Sequence, residues 1–403
     1  MQNEDFKRKV KFILRFGRAL HAVGSPAHTL EGYMQELCQL LGIKGSIVST
    51  PTAIFSSFRD GEEEVARIER VEPMGVNLGK LSQVDCVARE LLQGQKTYEE
   101  ASQKLDDIFN EPDLYGKRMI LTCFVFYAAG FVVLLGGTWG DFLSSVIVGS
   151  IIGLFSMVKP DKGVSQLFEA LMAIVASLAT YLLAKLIPGL NGGVIILSSL
   201  VMFLPGLYIT IAIAEIATQN LTSGTARLVG GAMILLKLTF GVFIGSKIAT
   251  WFHYQPLDIV FSTIPGWFSF LFLPFTALMS MVNFKAERSD WKIVTLAGIF
   301  GYSCSKLGTH YLGPELGMFF GGACVGAMSN IFARIFNRPS SIFQFPGIIL
   351  LVPGSVGYRS LNFLFERNVL GGLDTAFTMV TLAMALVVGL FFGNILVKPR
   401  QSL

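Results

Sequence analysis

From Met119 onward the chain is a near-unbroken series of apolar stretches, and few folds can accommodate that. A helix needs roughly 20 apolar residues to cross a bilayer. About ten such stretches can be placed, near 119–135, 141–158, 166–187, 193–216, 228–250, 259–282, 292–304, 312–335, 341–358 and 374–397. The seventh is short, and Gly298, Gly301 and Gly308 blur its end, as Pro265 and Pro274 blur the sixth. With 52% hydrophobic residues, 34 Phe, only 15% charged residues and a mean hydropathy of +0.58, a single water-soluble domain is excluded.

A spaced pattern is written twice in this apolar part. Pro205-Gly206, Asn220, Gly224, Gly241 and Gly245 recur 148 residues later as Pro353-Gly354, Asn368, Gly372, Gly389 and Gly393. Internal repeats in membrane proteins commonly build a substrate site where the halves meet, on helices interrupted by Pro and Gly. Five stretches per repeat is an odd number, so the second unit enters the membrane in the opposite sense, giving inverted repeats. The expected fold is thus an α-helical membrane protein with ten transmembrane helices in two inverted five-helix repeats, preceded by a small α+β soluble domain. Its bounds are 1–117 for the soluble domain, 118–252 for the first repeat and 253–403 for the second.

The distribution of basic residues sets the orientation. Cytoplasmic loops are richer in Lys and Arg. With the N-terminus inside, those loops hold Lys159 and Lys162, then Arg227, then Lys285, Arg288 and Lys292, then Arg334 and Arg338, and finally Lys398 and Arg400. The outer loops carry fewer, chiefly Lys185, Lys306, Arg359 and Arg367, with Lys247 near the outer end of the fifth stretch. Both termini fall in the cytoplasm, and no short apolar run after a basic start marks a cleavable signal peptide. The expected location is the plasma or inner cell membrane. The net charge of +4 divides into −3 for residues 1–117 and +7 for the rest, which fits basic loops beside lipid headgroups rather than nucleic-acid binding. The five cysteines have no paired spacing, so neither disulfides nor a metal site is expected, and no cofactor.

Proline removes a backbone donor, and glycine lets backbones approach, so a Pro-Gly break inside a span can turn polar groups toward a ligand. The expected substrate site is therefore Pro205, Gly206, Pro353, Gly354 and Ser355, where the fourth and ninth stretches would cross. Ionisable groups at membrane depth cost at least about 2.5 to 3.5 kcal/mol and mark function. Lys237 is the deepest and needs a carboxylate partner or an anionic substrate. Glu215 joins it as a substrate-site candidate. Glu169 and Glu315, near-equivalents in the repeat, are candidate proton carriers, with headgroup snorkelling as the plainer reading.

In the soluble domain, helical spacing of apolar residues predicts helices over 5–22, 27–41, 77–93 and 97–109. Ser46–Ser49, Ala53–Phe58 and Glu63–Arg70, separated by Pro51 and Asp60-Gly61, read as a strand meander. Ser25 before Pro26 reads as an N-cap with proline at the first helical position. Ser25, His28 and Glu31 also have the types of a nucleophile, a base and an orienting group, which keeps a membrane-anchored hydrolase as an alternative. No phosphate-cradling glycine loop is present, so ATP-driven transport has no support.

Three segments in this order resemble the N-terminal region of the threonine/serine exporter family, whose fungal members include pheromone-regulated membrane proteins. They are Gly24-Ser25-Pro26-Ala27-His28 with Glu31 and Leu41-Gly42; Thr50-Pro51-Thr52-Ala53; and Arg70-Val71-Glu72-Pro73-Met74-Gly75-Val76-Asn77-Leu78. The resemblance spans nearly the whole chain. It implies a soluble region followed by two five-helix halves, fused here and separate polypeptides in some bacteria. It also implies a secondary exporter moving small polar metabolites such as threonine and serine out of the cytoplasm at the expense of the proton-motive force. Alternatives are a dicarboxylate exporter, which Lys237 would also suit, and a passive channel. The implied partners are a small polar amino acid or organic acid and membrane lipids, with a homo-oligomer left open and no nucleic acid.

Overall fold

The computed structural model describes residues 2–399 apart from 62, 73–74, 159–160, 253–258, 260 and 366. Pro73, Met74, Lys159, Arg400 and the start of the expected second repeat lie outside the described residues. In the N-terminal portion, α1 (Gln2–Ala22) and α2 (Ala27–Leu40) bury the stripes Phe6, Val10, Ile13 and Leu30, Met34, Leu37. The strands β1 (Lys44–Thr50), β2 (Ala53–Asp60) and β3 (Glu63–Arg70) form an antiparallel sheet in that order. Thr50 pairs with Ala53 and Asp60 with Glu63, so each hairpin turns through two residues. Asn77 caps α3 (Leu78–Leu92) by accepting from the Lys80 N–H. A Thr97/Glu100 capping box opens α4 (Tyr98–Asn110).

Among the described residues, the elements of the apolar part are helices. It begins with α5 (Lys117–Leu134), α6 (Trp139–Ser156), the single turn α7 (Lys162–Ser165) and α8 (Phe168–Leu186). Then come α9 (Gly192–Ser199), a 3-10 turn at Val201–Phe203, α10 (Gly206–Ala217) and α11 (Leu221–Ala249). The chain continues through α12 (Phe268–Asn283), α13 (Trp291–Leu312), α14 (Pro314–Phe336), α15 (Ser341–Ile349), α16 (Gly354–Phe365) and α17 (Val369–Leu396). Among the described residues, seven helical segments are long and apolar enough to cross a membrane, with α15 and α16 counted as one, Ser341–Phe365. The pair α9–α10, bent by 53°, is an eighth if taken as one span.

Two expected stretches differ. The sixth starts at Phe268 rather than near 259: Thr263 is held in an isolated bridge to Thr138, and Pro265 precedes the helix, leaving α12 16 residues long. The seventh does not fade at its glycines. Instead α13 runs 22 residues, because Gly298 and Gly301 are where α12 and α15 press against it: a Cβ at Gly298 would lie 2.8 Å from the Ala277 Cβ, and one at Gly301 2.9 Å from the Gly347 carbonyl carbon. Neither α12 nor α13 meets both the length and the apolarity of a span, so on those grounds the described residues show seven spans, or eight with the bent pair, of the expected ten.

The written repeat has a backbone counterpart. Left-handed residues occur at Gly189 and Gln219, and again at Asn337 and Arg367, each 148 residues on. A Cβ at Gly245 would lie 2.6 Å from the Ile174 carbonyl of α8, and one at Gly393 2.6 Å from the Ala323 carbonyl of α14. Gly224 approaches the Ala212 carbonyl as Gly372 approaches that of Ser360. The glycines thus mark close helix crossings that are made twice.

A single apolar core runs from the N-terminal portion into the helices. It joins Phe6, Leu30 and Val84 to Met279, Phe284, Phe345 and Leu390. The joint is also hydrogen-bonded. The first N–H groups of α3, at Leu78 and Gly79, donate to the carbonyls of Phe284 and Lys285 at the end of α12 (2.8 and 3.1 Å). One helix's orphan donors meet another's orphan acceptors.

Candidate functional site

The two Pro-Gly breaks meet. Pro205 follows the 3-10 turn after α9, and Pro353 follows the turn after α15, so α10 and α16 each start afresh at a glycine. A Cβ on Gly206 would stand 3.0 Å from the Gly354 nitrogen, and one on Gly354 3.0 Å from the Gly206 Cα. The first helical bonds are Ile209 N–H to Pro205 and Gly357 N–H to Pro353. Two first turns with their unsatisfied N–H groups, and the positive ends of two helix dipoles, therefore converge on one point. Ser355 lies in the second of those turns and is half-buried.

A cavity of about 410 Å³ opens between the N-terminal portion and the helices. Its walls include Ser25, His28 and Thr29 of α2 and the turn before it, Asp85 and Arg89 of α3, Thr210, Ile211 and Ala214 of α10, and Gln344 and Ile348 of α15. Asn330, Arg338 and Asn394 also line it. Thr210, buried, donates to the Gly206 carbonyl (3.1 Å), so the cavity reaches within one helical turn of the crossing. Its charges are matched. Arg89 pairs with Asp85 (2.9 Å), and Arg338 with Glu287 (3.1 Å) and Asp290.

Glu215 joins the helices to the N-terminal portion. It is fully buried at the end of α10, where its carboxylate pairs with Arg227 (3.0 Å), accepts from Ser223 Oγ (2.9 Å), and accepts from the backbone N–H of Ala27 (2.9 Å). The Arg227 guanidinium also stacks over the Tyr208 ring at 5.5 Å. Glu215 is consequently the cap of α2. The N-cap position is Pro26, whose ring carries no acceptor, and Ser25 does not fill the role expected of it. Arg227, read from the sequence as a loop charge, is 7% exposed. The signal for the pair was available: residues 215 and 227 flank a tight turn at 218–220 that lays α10 against α11.

Lys237 has the carboxylate partner its depth demands: Glu169, with Nζ to Oε2 at 3.4 Å and both side chains partly exposed. Neither residue lines the cavity. Glu315 is exposed in the first turn of α14, and its expected counterpart Glu169 is half-buried in the first turn of α8. Of the Ser25, His28 and Glu31 set, the Glu31 carboxylate accepts from the Ser49 N–H (2.7 Å), and no described hydrogen bond links the three. His28 is exposed to the cavity, yet loss of water lowers its pKa, with the Glu215 charge pulling the other way. Burial raises the Glu31 carboxyl, and burial together with the Arg227 charge lowers His21. Thr210, Asn330 and Asn394 were not singled out from the sequence, because a lone threonine or asparagine in an apolar helix carries no spacing that marks it.

Comparison with known proteins accords with this arrangement. Residues 11–249 match the family model described as "Putative threonine/serine exporter", and residues 269–396 match "Threonine/Serine exporter, ThrE". Three similar proteins are each called pheromone-regulated membrane protein 10. The one from Saccharomyces cerevisiae is 26% identical over 98% of this chain and 55% of its own length. That from Candida glabrata is 26% identical over 97% and 53%, and that from Eremothecium gossypii 26% over 98% and 57%. The chain spans about half the length of these curated relatives. No solved structure matches it. The first match ends with α11 and the second begins with α12, dividing the chain where the duplicated pattern does, and the chain belongs to the threonine/serine exporter family.

Proposed function

We propose that the protein is a secondary exporter of small neutral polar amino acids, threonine and serine first among them, driven by the proton-motive force. In this reading α5–α11 and α12–α17 are two inverted five-span units, with α9–α10 and α15–α16 each one broken span and α12 and α13 the two less apolar ones. The N-terminal portion and both termini face the cytoplasm. The cavity is then the cytoplasmic entrance, and the crossing of the breaks is the solute site.

The observation that carries this proposal is the meeting of two helix N-termini at Gly206 and Gly354. An amino acid's carboxylate suits their free N–H groups and paired dipoles, as anions suit half-helix N-termini in other transporters. That role takes the carboxylate away from Lys237, whose charge is already met by Glu169. The charge balance of the cavity favours a zwitterion over a dicarboxylate, because Arg89 and Arg338 are matched by carboxylates and the remaining walls offer hydroxyls and amides. Glu169 is the proton carrier of this reading: protonation would release Lys237 during the cycle. Glu215, saturated by three partners, is not.

The test is uptake of labelled L-threonine, L-serine and succinate into inverted membrane vesicles, with and without an uncoupler. The expected result is accumulation of the two amino acids that collapses with the uncoupler, and none of succinate. Equilibration without accumulation would make the protein a passive channel, and succinate uptake would overturn the substrate class.

A further inference from the structure

We infer that the first turn of α2 belongs to the solute site and that His28 is a specificity-determining residue, so that the N-terminal portion reads the solute rather than only regulating its passage. The inference rests on the export reading above. Ser25, His28 and Thr29 line the same cavity as Gln344 and Thr210, and Thr210 is the wall residue one helical turn from Gly206. His28 stands out among its neighbours: Ala27 and Leu30 are buried in the joint, while the imidazole is exposed to the cavity. A neutral imidazole offers one donor and one acceptor, and so can meet a solute hydroxyl or ammonium group. The turn that carries it is held in place from the membrane side, because the Ala27 N–H is capped by Glu215 of α10, 188 residues away. Glu215 is therefore a positioning residue for His28. This accounts for the run Gly24-Ser25-Pro26-Ala27-His28. The left-handed Gly24 (φ 80°) packs on the backbone of Gly75 and Val76, with no room for a side chain, and brings the chain round so that α2 starts beneath α10.

The experiment uses the full chain in vesicles with L-serine as the probe. His28→Leu is expected to raise the KM for L-serine roughly tenfold, the loss of one hydrogen bond, and to raise it by more than Vmax falls. His28→Gln, which keeps a donor and an acceptor, is expected to restore most of it. In a cysteine-free background, His28→Cys is expected to react with a small hydrophilic thiol reagent and to be protected by L-serine but not by D-glucose. Thr29→Cys supplies the same protection readout should the variants at position 28 be missing from the membrane. A protein that exports L-serine with a KM indifferent to position 28, and without solute protection, overturns the inference and leaves the export reading standing. A wild-type protein that exports neither L-serine nor L-threonine overturns the export reading, and the inference with it.

Discussion

At the scale of single residues, the ionisable groups in the apolar part have divided into a joint and a pair. Glu215 and Arg227 are both buried, and each is the other's main counter-charge. Removing one partner leaves an uncompensated buried charge, which costs on the order of 3–5 kcal/mol, whereas replacing both by apolar groups of similar volume is often neutral. Glu215→Ala is therefore expected to lower the thermal unfolding midpoint in detergent sharply. The double variant Glu215→Leu, Arg227→Met should recover most of that loss, and a double variant as unstable as Glu215→Ala would show that the Ala27 contact dominates. The same joint sets a pH dependence. His21 and His28 are both held below the ordinary histidine value of 6.5, chiefly by loss of water. Between 6.5 and the lowered values an unfolded chain binds protons that the folded one refuses, so stability falls as pH is lowered through that window. Glu31, raised from 4.5, opposes this in the range just above 4.5. The unfolding midpoint should accordingly drop as pH falls below about 7, and the double variant His21→Gln, His28→Gln should flatten the drop.

At the scale of elements, the breaks at 205 and 353 matter because two backbones touch there and no side chain separates them. The Gly206 and Gly354 sites each put an added Cβ about 3 Å from the other's backbone. Gly206→Ala or Gly354→Ala must push the half-helices apart, an overpacking worth typically 1–3 kcal/mol. Export should fall steeply in either variant while the protein still reaches the membrane, as measured by vesicle uptake normalised to immunoblot signal. Gly163 in α7, with open space around it and an ordinary backbone conformation, is the control position where alanine should leave uptake intact. The sequence carried this crossing plainly, because a Pro-Gly pair repeated at one offset leaves a trace in composition as well as in geometry. Strand and helix positions in the N-terminal portion were equally legible from apolar spacing. The joint was not. Glu215 reads from sequence as a charge in a span, and nothing at position 215 says that its partner is a backbone N–H at position 27. Helix α13 was missed in length for a related reason: a glycine that admits a neighbouring helix and a glycine that ends a helix look the same in one dimension.

At the scale of the whole molecule, what remains is the sense in which the two halves cross the membrane. Matching left-handed turns at 189 and 337 and at 219 and 367, and matching glycine contacts at 245 and 393, establish that local geometry is made twice. An odd number of spans per unit would place equivalent residues on opposite sides, and an even number on the same side. Gly189 and Asn337 are the sharpest pair for deciding this. Each is left-handed, and each precedes a half-helix, α9 or α15, that leads to a Pro-Gly break. A Cβ at Gly189 would meet open space, and Asn337 is exposed, so neither position is shielded from reagent by packing. With Cys38, Cys86, Cys123, Cys304 and Cys324 replaced by serine or alanine, Gly189→Cys should react in intact cells with a membrane-impermeant maleimide. Asn337→Cys should react only after permeabilisation. Labelling of both from the same side would rule out inversion. It would then place the positive ends of α10 and α16 in a bundle without the two-fold relation that lets one solute site face each side in turn, and alternating access would need a different moving element from the crossing at Gly206 and Gly354.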